Sequence, residues 1–283
     1  MLSPNCQRWT LRRCRWRPAG ERFNPRGFET APIVGPGSDT IARRFVEAHH
    51  YSGTMSSARV RFGLFERGTL VGIAVFGDPR HYGALKPWSK GAALDLGRFV
   101  LVDHVAGNAE SWFIARALEH LRAAGFAGVV SLSDPEPRST SDGDVVFPGH
   151  VGTIYQASNA VYVGKNRRET EYLFADGTSF FAGNLSKIRA RDKGWRYATE
   201  QLVAHGAEPP PSGDLRAWLE RELARVTRKR THGGKHRYLF PLADAAARDI
   251  ARAQREGVVA STQPYPRAPR VGACASSPSR RAA

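Results

Sequence analysis

Cysteine is scarce in this chain: three residues in 283, Cys6, Cys14 and Cys274, all near the ends. That excludes a disulfide framework and a Cys-x-x-Cys zinc site, and it points to a reducing compartment. Long apolar runs are missing too, and none approaches the roughly 18 residues of a membrane span. Acidic residues are few, 26 Asp and Glu against 42 Lys and Arg, for a formal charge of +16. Such an imbalance favours nucleic acid or an anionic cofactor as partner, the other reading being an arginine-rich composition that only raises solubility. The first 26 residues carry seven Arg, with Trp9 and Trp16, and no apolar stretch of a secretion signal. The expectation is a cytoplasmic protein without membrane contact, its oligomeric state open.

What is present divides the chain. Residues 1–37, rich in Arg, Pro and Gly, are expected to be a basic, disordered arm, and 38–207 a single catalytic-type domain. A helix is expected from Thr40 to about Ala48, delivering His49-His50-Tyr51. Val60, Phe62 and Leu64 alternate with Arg59, Arg61 and Gly63, and Leu70–Phe76 is almost wholly apolar, so 59–77 predicts a β-hairpin. Leu94–Val102 predicts a strand that carries Arg98. The strongest helical pattern runs from Ala109 to Ala124, opened by Gly107-Asn108 and stopped by Gly125. Phe126–Ser133 then predicts a strand parallel to the previous one, because strand, helix, strand implies a crossover. Tyr155–Asn159 suits one helical turn, and 161–163, 171–174 and 180–181 suit strands. Pro209-Pro210-Pro211-Ser212-Gly213 is a stiff linker. It leads into a helix capped by Asp214, so 208–257 is expected as linker plus basic helical extension and 258–283 as a disordered tail.

Chemistry concentrates between Ser131 and Gly164. The apolar run Val129–Leu132 ends in Ser133-Asp134-Pro135, followed by His150, Tyr155, Gln156 and Asn159, and strand ends are where ligands sit in α/β sheets. Arg98, inside an apolar strand, must be paired or face a ligand, with Asp134 a candidate partner. Backbone amides at Gly107, Asn108 and Ala109 suit a pyrophosphate, although Asn108 equally suits a simple cap. Ser111 and Ser133 read as polar orienters or as local caps. From Ser186 to Arg196 the cations Lys187, Arg189, Arg191, Lys193 and Arg196 meet one acid, Asp192, and a second basic run covers Arg225–Arg237.

The element order, helix, hairpin, strand, Gly-Asn helix, strand, short helix, strand, resembles the GNAT acyltransferase superfamily. Within it, Asp95-Leu96-Gly97-Arg98-Phe99-Val100-Leu101, Asn108-Ala109-Glu110-Ser111, Ser133-Asp134-Pro135, His150 through Asn159 and His236-Arg237-Tyr238 resemble the Mom family of phage DNA-modification proteins. The similarity spans roughly Ile41–Arg196 plus the His-Arg-Tyr end. It implies a GNAT-like α/β fold with a mixed, mainly antiparallel sheet flanked by helices, here with the basic helical C-terminal extension. It implies a phage- or prophage-encoded transferase in a bacterial cytoplasm that alters the N6 amino group of adenine in DNA by carbamoylmethylation and protects that DNA from host restriction. Acetyl-CoA or a related acyl donor, and iron, are the cofactors it implies. The usual phosphate loop, Arg/Gln-x-x-Gly-x-Gly/Ala, is replaced here by Asp103-His104-Val105-Ala106-Gly107-Asn108, a departure that counts against ordinary CoA binding.

On that resemblance Asp134, Tyr155, His150, Ser133 and Tyr51 are the catalytic candidates. Asp134, His150 or an ionised Tyr155 takes a proton from the adenine amine, and Tyr155 equally suits donation to a thiolate leaving group. Arg98, Gly107, Asn108 and Ser111 are the cofactor candidates. For Fe(II), His50, Tyr51, Asp134 and His150 are ligands by residue type, against the reading that His49 and His50 only end a helix and His150 lies on a solvated loop. Gln156 and Asn159 carry amides suited to an adenine edge, and Tyr162 a ring for stacking on a flipped base. Lys187, Arg189, Arg191, Lys193, Arg228, Lys229 and Arg230 are expected on DNA phosphates. Two other readings stay open: an N-acetyltransferase for a small amine or protein, and a basic DNA-binding module without chemistry.

Overall fold

The computed structural model describes residues 5–10, 13–18, 23–79 and 81–267. In chain order the elements are β1 (Asn5–Thr10), β2 (Arg13–Pro18), β3 (Phe28–Pro32), α1 (Ser38–His49), β4 (Val60–Glu66), β5 (Thr69–Gly77) and β6 (Ala93–Leu101). There follow α2 (Ala109–Ala123), β7 (Gly128–Ser133), β8 (Arg138–Ser139), β9 (Val145–Phe147), α3 (Thr153–Gln156), β10 (Val161–Lys165), β11 (Glu169–Leu173) and β12 (Ser179–Phe180). The last are α4 (Gly183–Ala190), α5 (Trp195–Ala204), α6 (Leu215–Val226), β13 (Arg228–His232), β14 (His236–Pro241) and α7 (Asp244–Arg255).

Seven strands form the central sheet in the order β10-β14-β7-β6-β5-β4-β3, antiparallel throughout except for the β6–β7 pair. The α/β class and the parallel crossover through α2 agree with the sequence. The continuous apolar run of β5 is explained by helices on both faces, because successive residues of a strand point to opposite sides. Ile73 and Val75 pack with Ala42 and Val46 of α1, while Ala74 and Phe76 pack with Phe113, Ile114 and Ala117 of α2. Each large side chain so buried contributes about 1.5–3 kcal/mol relative to exposure. α7 covers the α1 side further along the sheet, through Ala246, Ile250 and Ala253 against Val130, Val163 and Leu239.

A smaller unit carries β12-β11-β13 and a core shared by α4, α5 and α6, with Ile188, Ala198, Leu202, Trp218 and Leu219 at its centre. Asp214 caps α6 by accepting from Arg216 N and Ala217 N.

Three boundaries differ from the sequence reading. Residues 1–37 do not all stand apart from the domain: β3 pairs with β4 along Phe28–Pro32, because an edge strand offers an open row of backbone partners. The expected C-terminal helical extension is interrupted by β14, which inserts between β10 and β7 in the middle of the main sheet. In the expected tail, Val259 is buried and Gln263 N donates to Tyr162 O at 3.0 Å. Residues 268–283 of that tail lie outside the described residues.

Candidate functional site

The site begins where two parallel strands part. β6 and β7 are paired only at Ala93–Gly128, Leu94–Val129 and Asp95–Val130. Beyond that, β6 bulges at Gly97 while staying with β5, and β7 continues beside β14 to Ser133. Gly97–Arg98 and Ser131–Ser133 therefore border a cleft. A bulge at such a point redirects side chains, which is its common use beside active sites.

Asp134, just past β7, is 3% exposed. Its Oδ1 accepts from Glu136 N at 3.0 Å and His232 Nε2 at 2.9 Å, and its Oδ2 from Arg138 Nη2 at 2.8 Å. Burial works to raise its pKa, but Arg138, the His232 bond, Lys235 and the Glu136 N–H together hold it below the usual carboxylate value. Gly234 N donates to His232 Nδ1 at 3.0 Å, so the His232 proton sits on Nε2 and points at Asp134. Alternate residues of β13 grip the same loop: Arg230 Nη1 donates to Pro137 O at 2.9 Å and Arg228 Nη2 to Ser139 O at 2.8 Å.

Tyr51, delivered by the end of α1, stacks on Phe147 with ring centres 4.4 Å apart, and the Arg138 guanidinium lies 4.5 Å from the Phe147 ring. His50 is buried; Ser52 N donates to its Nδ1 at 3.1 Å, and burial, then the charges of Arg98, His150 and Arg138, push its pKa well below 6.5. His150 N donates to Asp134 O at 2.7 Å. Burial lowers the His150 pKa to about 4, with Asp134 working against the shift. Its imidazole makes no hydrogen bond among the described residues, so a neutral ring with an unoccupied acceptor nitrogen stands beside the Asp134 loop.

Tyr155, on α3, is 5% exposed, its ring centre 5.4 Å from that of Tyr238. Burial raises its pKa strongly, which removes the expected ionised Tyr155 base and leaves a neutral phenol that donates. Ser131 Oγ faces this phenol and Ser133 Oγ faces Tyr238, and both are buried without a well-aligned hydrogen bond. Gly152, at φ +74, makes the close approach possible: a Cβ there would stand 2.7 Å from Tyr155, 2.8 Å from Tyr238 and 3.0 Å from Ser133 Oγ.

Other expected site residues are engaged elsewhere. Arg98 does not pair with Asp134; its Nε donates to Thr54 O and its Nη1 to Gly97 O, both at 2.6 Å, because the bulge turns it toward the 51–58 loop. Asn108 sits before α2 in a left-handed conformation and makes no side-chain cap bond, while Ser111 Oγ donates to Asn108 O at 3.2 Å. Next to Gly107, Arg8 donates to the carbonyls of Val105 and Ala106 and pairs with Glu110, filling part of the α2 entrance. The Gln156 amide nitrogen is shared among Val151 O, Tyr238 Oη and Pro266 O, so it has no donor to spare for a base. Tyr162 is buried with its hydroxyl on His236 Nδ1 at 2.7 Å, which rules it out as a stacking surface in this conformation. Asn159 lines a separate open groove of about 530 Å³ between α2 and the end of β14, together with Trp112 and Arg122. Arg191 donates to Ser212 O and Gly213 O, and Arg228 and Arg230 hold the Asp134 loop, whereas Lys187, Arg189, Lys193 and Lys229 are exposed.

The iron implied by the resemblance does not fit this donor set. Three donors occupy Asp134, Ser52 occupies His50 Nδ1, burial keeps the Tyr51 proton in place, and the Arg138 guanidinium shares the space. Among the described residues no group of three His, Cys, Asp or Glu side chains is placed to hold a metal ion. Sequence reasoning missed Arg138, His232, His236 and Tyr238. Of these, His236 and Tyr238 lie in the His-Arg-Tyr motif, and Arg138 is visible four residues from Asp134 as a local charge pair; nothing local points to His232.

The chain matches the Mom protein family over residues 33–267. No curated protein matches it. Among solved structures, an N-acetyltransferase from Staphylococcus aureus Mu50 is similar at 9% identity and TM-score 0.34, covering 76% of this chain and 97% of that one. A tandem GNAT protein from the clavulanic acid biosynthesis pathway, solved without AcCoA, is similar at 9% identity and TM-score 0.40, covering 76% and 99%. Among the described residues no helix is long and apolar enough to cross a membrane.

Proposed function

From the premise that this chain belongs to the Mom protein family, we propose that it is a transferase that modifies the N6 amino group of adenine in DNA. The observation that carries the reading is where the fold puts two groups near the point at which β6 and β7 part: His150, whose N–H donates to Asp134 O just past β7, and Tyr155, whose phenol faces Ser131 of β7, both left neutral by burial. An amine attacking an activated carbonyl needs a base for its departing proton and an acid for the leaving group, and environments that keep two groups in complementary states supply both.

His150 is the base in this reading. It takes the N6 proton as the new bond forms, and Asp134, whose backbone carbonyl accepts the His150 N–H, anchors the loop and stabilises the imidazolium. Asp134 is a positioning residue, because both of its carboxylate oxygens already accept hydrogen bonds from Glu136 N, His232 and Arg138. Tyr155 donates its phenolic proton to the leaving group, and Ser131 and Ser133 orient the carbonyl end through their unengaged hydroxyls. An acyl thioester would supply the activated carbonyl. The buried, unsatisfied Ser131 and Ser133 hydroxyls beside Tyr155 suit its reacting end, while the α2 entrance, with Arg8 and Glu110, differs from an open phosphate cradle. This acyl step joins N6 to the acyl carbon as an amide and releases the thiol. A carbamoylmethyl group, bonded to N6 through its CH2, and protection from restriction are what the family resemblance implies, and the acyl step alone does not form that group. An adenine within a duplex must leave the stack to reach this cleft, at a cost of a few kcal/mol that phosphate contacts offset.

The test is expression in a bacterium, digestion of cellular DNA to nucleosides and mass spectrometry, with Tyr155→Phe as control. An altered deoxyadenosine that disappears in the variant supports the reading, and its mass identifies the group. Four ordinary nucleosides in the presence of soluble, folded protein would sink it.

A further inference from the structure

We propose that α4 and α5 form a helix-turn-helix that docks on duplex DNA, with the outer face of α5 in the major groove beside the adenine to be modified. This rests on the DNA-modifying reading above and adds the element that engages the duplex.

The two helices are joined by the four-residue turn Arg191–Gly194, in which Arg191 at φ 51 and Gly194 at φ 87 adopt left-handed conformations. A three- or four-residue turn containing glycine is the usual link in a helix-turn-helix. The turn is held in place by Arg191, which donates to Ser212 O at 3.0 Å and Gly213 O at 2.9 Å, and by Asp192 N, which donates to Lys187 O at 3.0 Å. Ile188 of α4 and Ala198 and Leu202 of α5 share a core with Trp218 and Leu219 of α6, so a third helix backs the pair. That leaves α5 with one buried and one open face. Arg196, Tyr197 and Glu200 are exposed at positions i, i+1 and i+4, and Tyr197 is 62% exposed, unusual for a large aromatic ring.

Charge identifies the partner. Lys187, Arg189, Lys193 and Arg196 are exposed on this unit, and none forms an ion pair among the described residues. What sets them apart is their grouping: the four lie within ten positions, on α4, its turn and the first turn of α5. Four unpaired cations around an aromatic-bearing helix match a phosphate backbone with a base-reading helix at its centre. Trp195 supports the turn, with the Arg191 and Arg196 guanidinium groups 5.9 and 5.6 Å from its ring. At ten residues α5 is about 15 Å long, a suitable length for a major groove about 12 Å wide. The unit is also tied to the chemistry, because β13 belongs to it and β13 carries the Arg228, Arg230 and His232 that hold the Asp134 loop.

The experiment is fluorescence anisotropy of the full-length protein with a labelled DNA duplex across a range of salt concentrations. A variant combining Lys187→Gln, Arg189→Gln, Lys193→Gln and Arg196→Gln is compared with Tyr197→Ala and wild type, thermal melting verifying that each is folded. The quadruple variant is expected to lose at least about tenfold in affinity at moderate salt, with the salt slope reduced by about 2 to 4. Tyr197→Ala is expected to weaken binding while leaving the slope unchanged. Wild-type affinity and slope in the quadruple variant would overturn the proposal, as would preference of the wild type for single-stranded DNA or an RNA duplex. Nucleoside mass spectrometry on the same proteins separates the two ideas. Duplex binding lost in the quadruple variant, with no modified base from wild type, supports docking and overturns the chemistry; a modified base with an unchanged slope does the reverse.

Discussion

Asp134 and His232 are 98 positions apart in the chain and meet through a 2.9 Å hydrogen bond in which the imidazole Nε2 donates to the carboxylate. The bond joins the end of β7 to the end of β13, and so the central sheet to the smaller unit. Together with Arg138 it makes Asp134 the meeting point of a buried charge network.

Asp134→Ala is expected to destabilise the fold by about 3–5 kcal/mol, because the Arg138 guanidinium and the His232 N–H lose their acceptor in a buried setting. Asp134→Asn keeps one acceptor oxygen and costs less. Guanidinium denaturation of both variants reads this, and an unchanged midpoint in the alanine variant would show that the carboxylate does not hold the two units together.

His150 gives the protein an acid-side sensitivity. Its folded pKa of about 4 lies below the unfolded value near 6.5, so between those values the unfolded chain binds the extra proton. The stability it contributes is complete above about pH 6.5 and is lost as the pH falls toward 4, about 1–3 kcal/mol over that window. His236, also held near pH 4 by burial and by Lys165, acts in the same direction. Imidazole NMR titration should place the His150 midpoint near 4, and a midpoint near 6.5 would contradict its neutral, half-buried setting.

Tyr155→Phe should lower the modification rate by about 10²–10⁴-fold, the usual worth of a positioned general acid. The ring packing against Tyr238 and Phe240 is retained, so the melting temperature should hardly change. A variant that modifies DNA at the wild-type rate would remove Tyr155 from the chemistry.

Gly152→Ala is expected to cost about 2–4 kcal/mol, from the left-handed backbone and from overpacking against Tyr155 and Tyr238. Chemical denaturation measures the cost directly. Gly143→Ala, also left-handed at φ +93 but with open space around its Cβ, isolates the backbone share and should lose less.

Most elements of the main sheet are legible in the amino-acid sequence. The β4–β5 hairpin shows in the alternation of Val60, Phe62 and Leu64, α2 in its Gly-Asn entry and Gly125 stop, and the parallel β6–β7 pair in the strand, helix, strand order. β14 is not legible as a central strand, since His236-Arg237-Tyr238 is polar and its partners, β7 and β10, lie far away in sequence. Ser133, Asp134, His150 and Tyr155 stand out because such side chains at a strand end serve no packing need. Their division of labour cannot be read from the chain alone, and neither can the engagement of Gln156 with Val151, Tyr238 and Pro266.

The amino-acid sequence by itself determined the class of the fold, its strand and helix periods and its positive charge. Those properties depend on neighbours two to four positions away and on composition, which folding does not alter. Only the tertiary structure decided that Asp134 is held by three donors, that burial favours the neutral form of His150 and that it favours the protonated form of Tyr155. Protonation and hydrogen bonding are set by burial and by partners such as His232 and Arg138 that the fold brings to the same few ångströms, and local sequence carries no record of that distance.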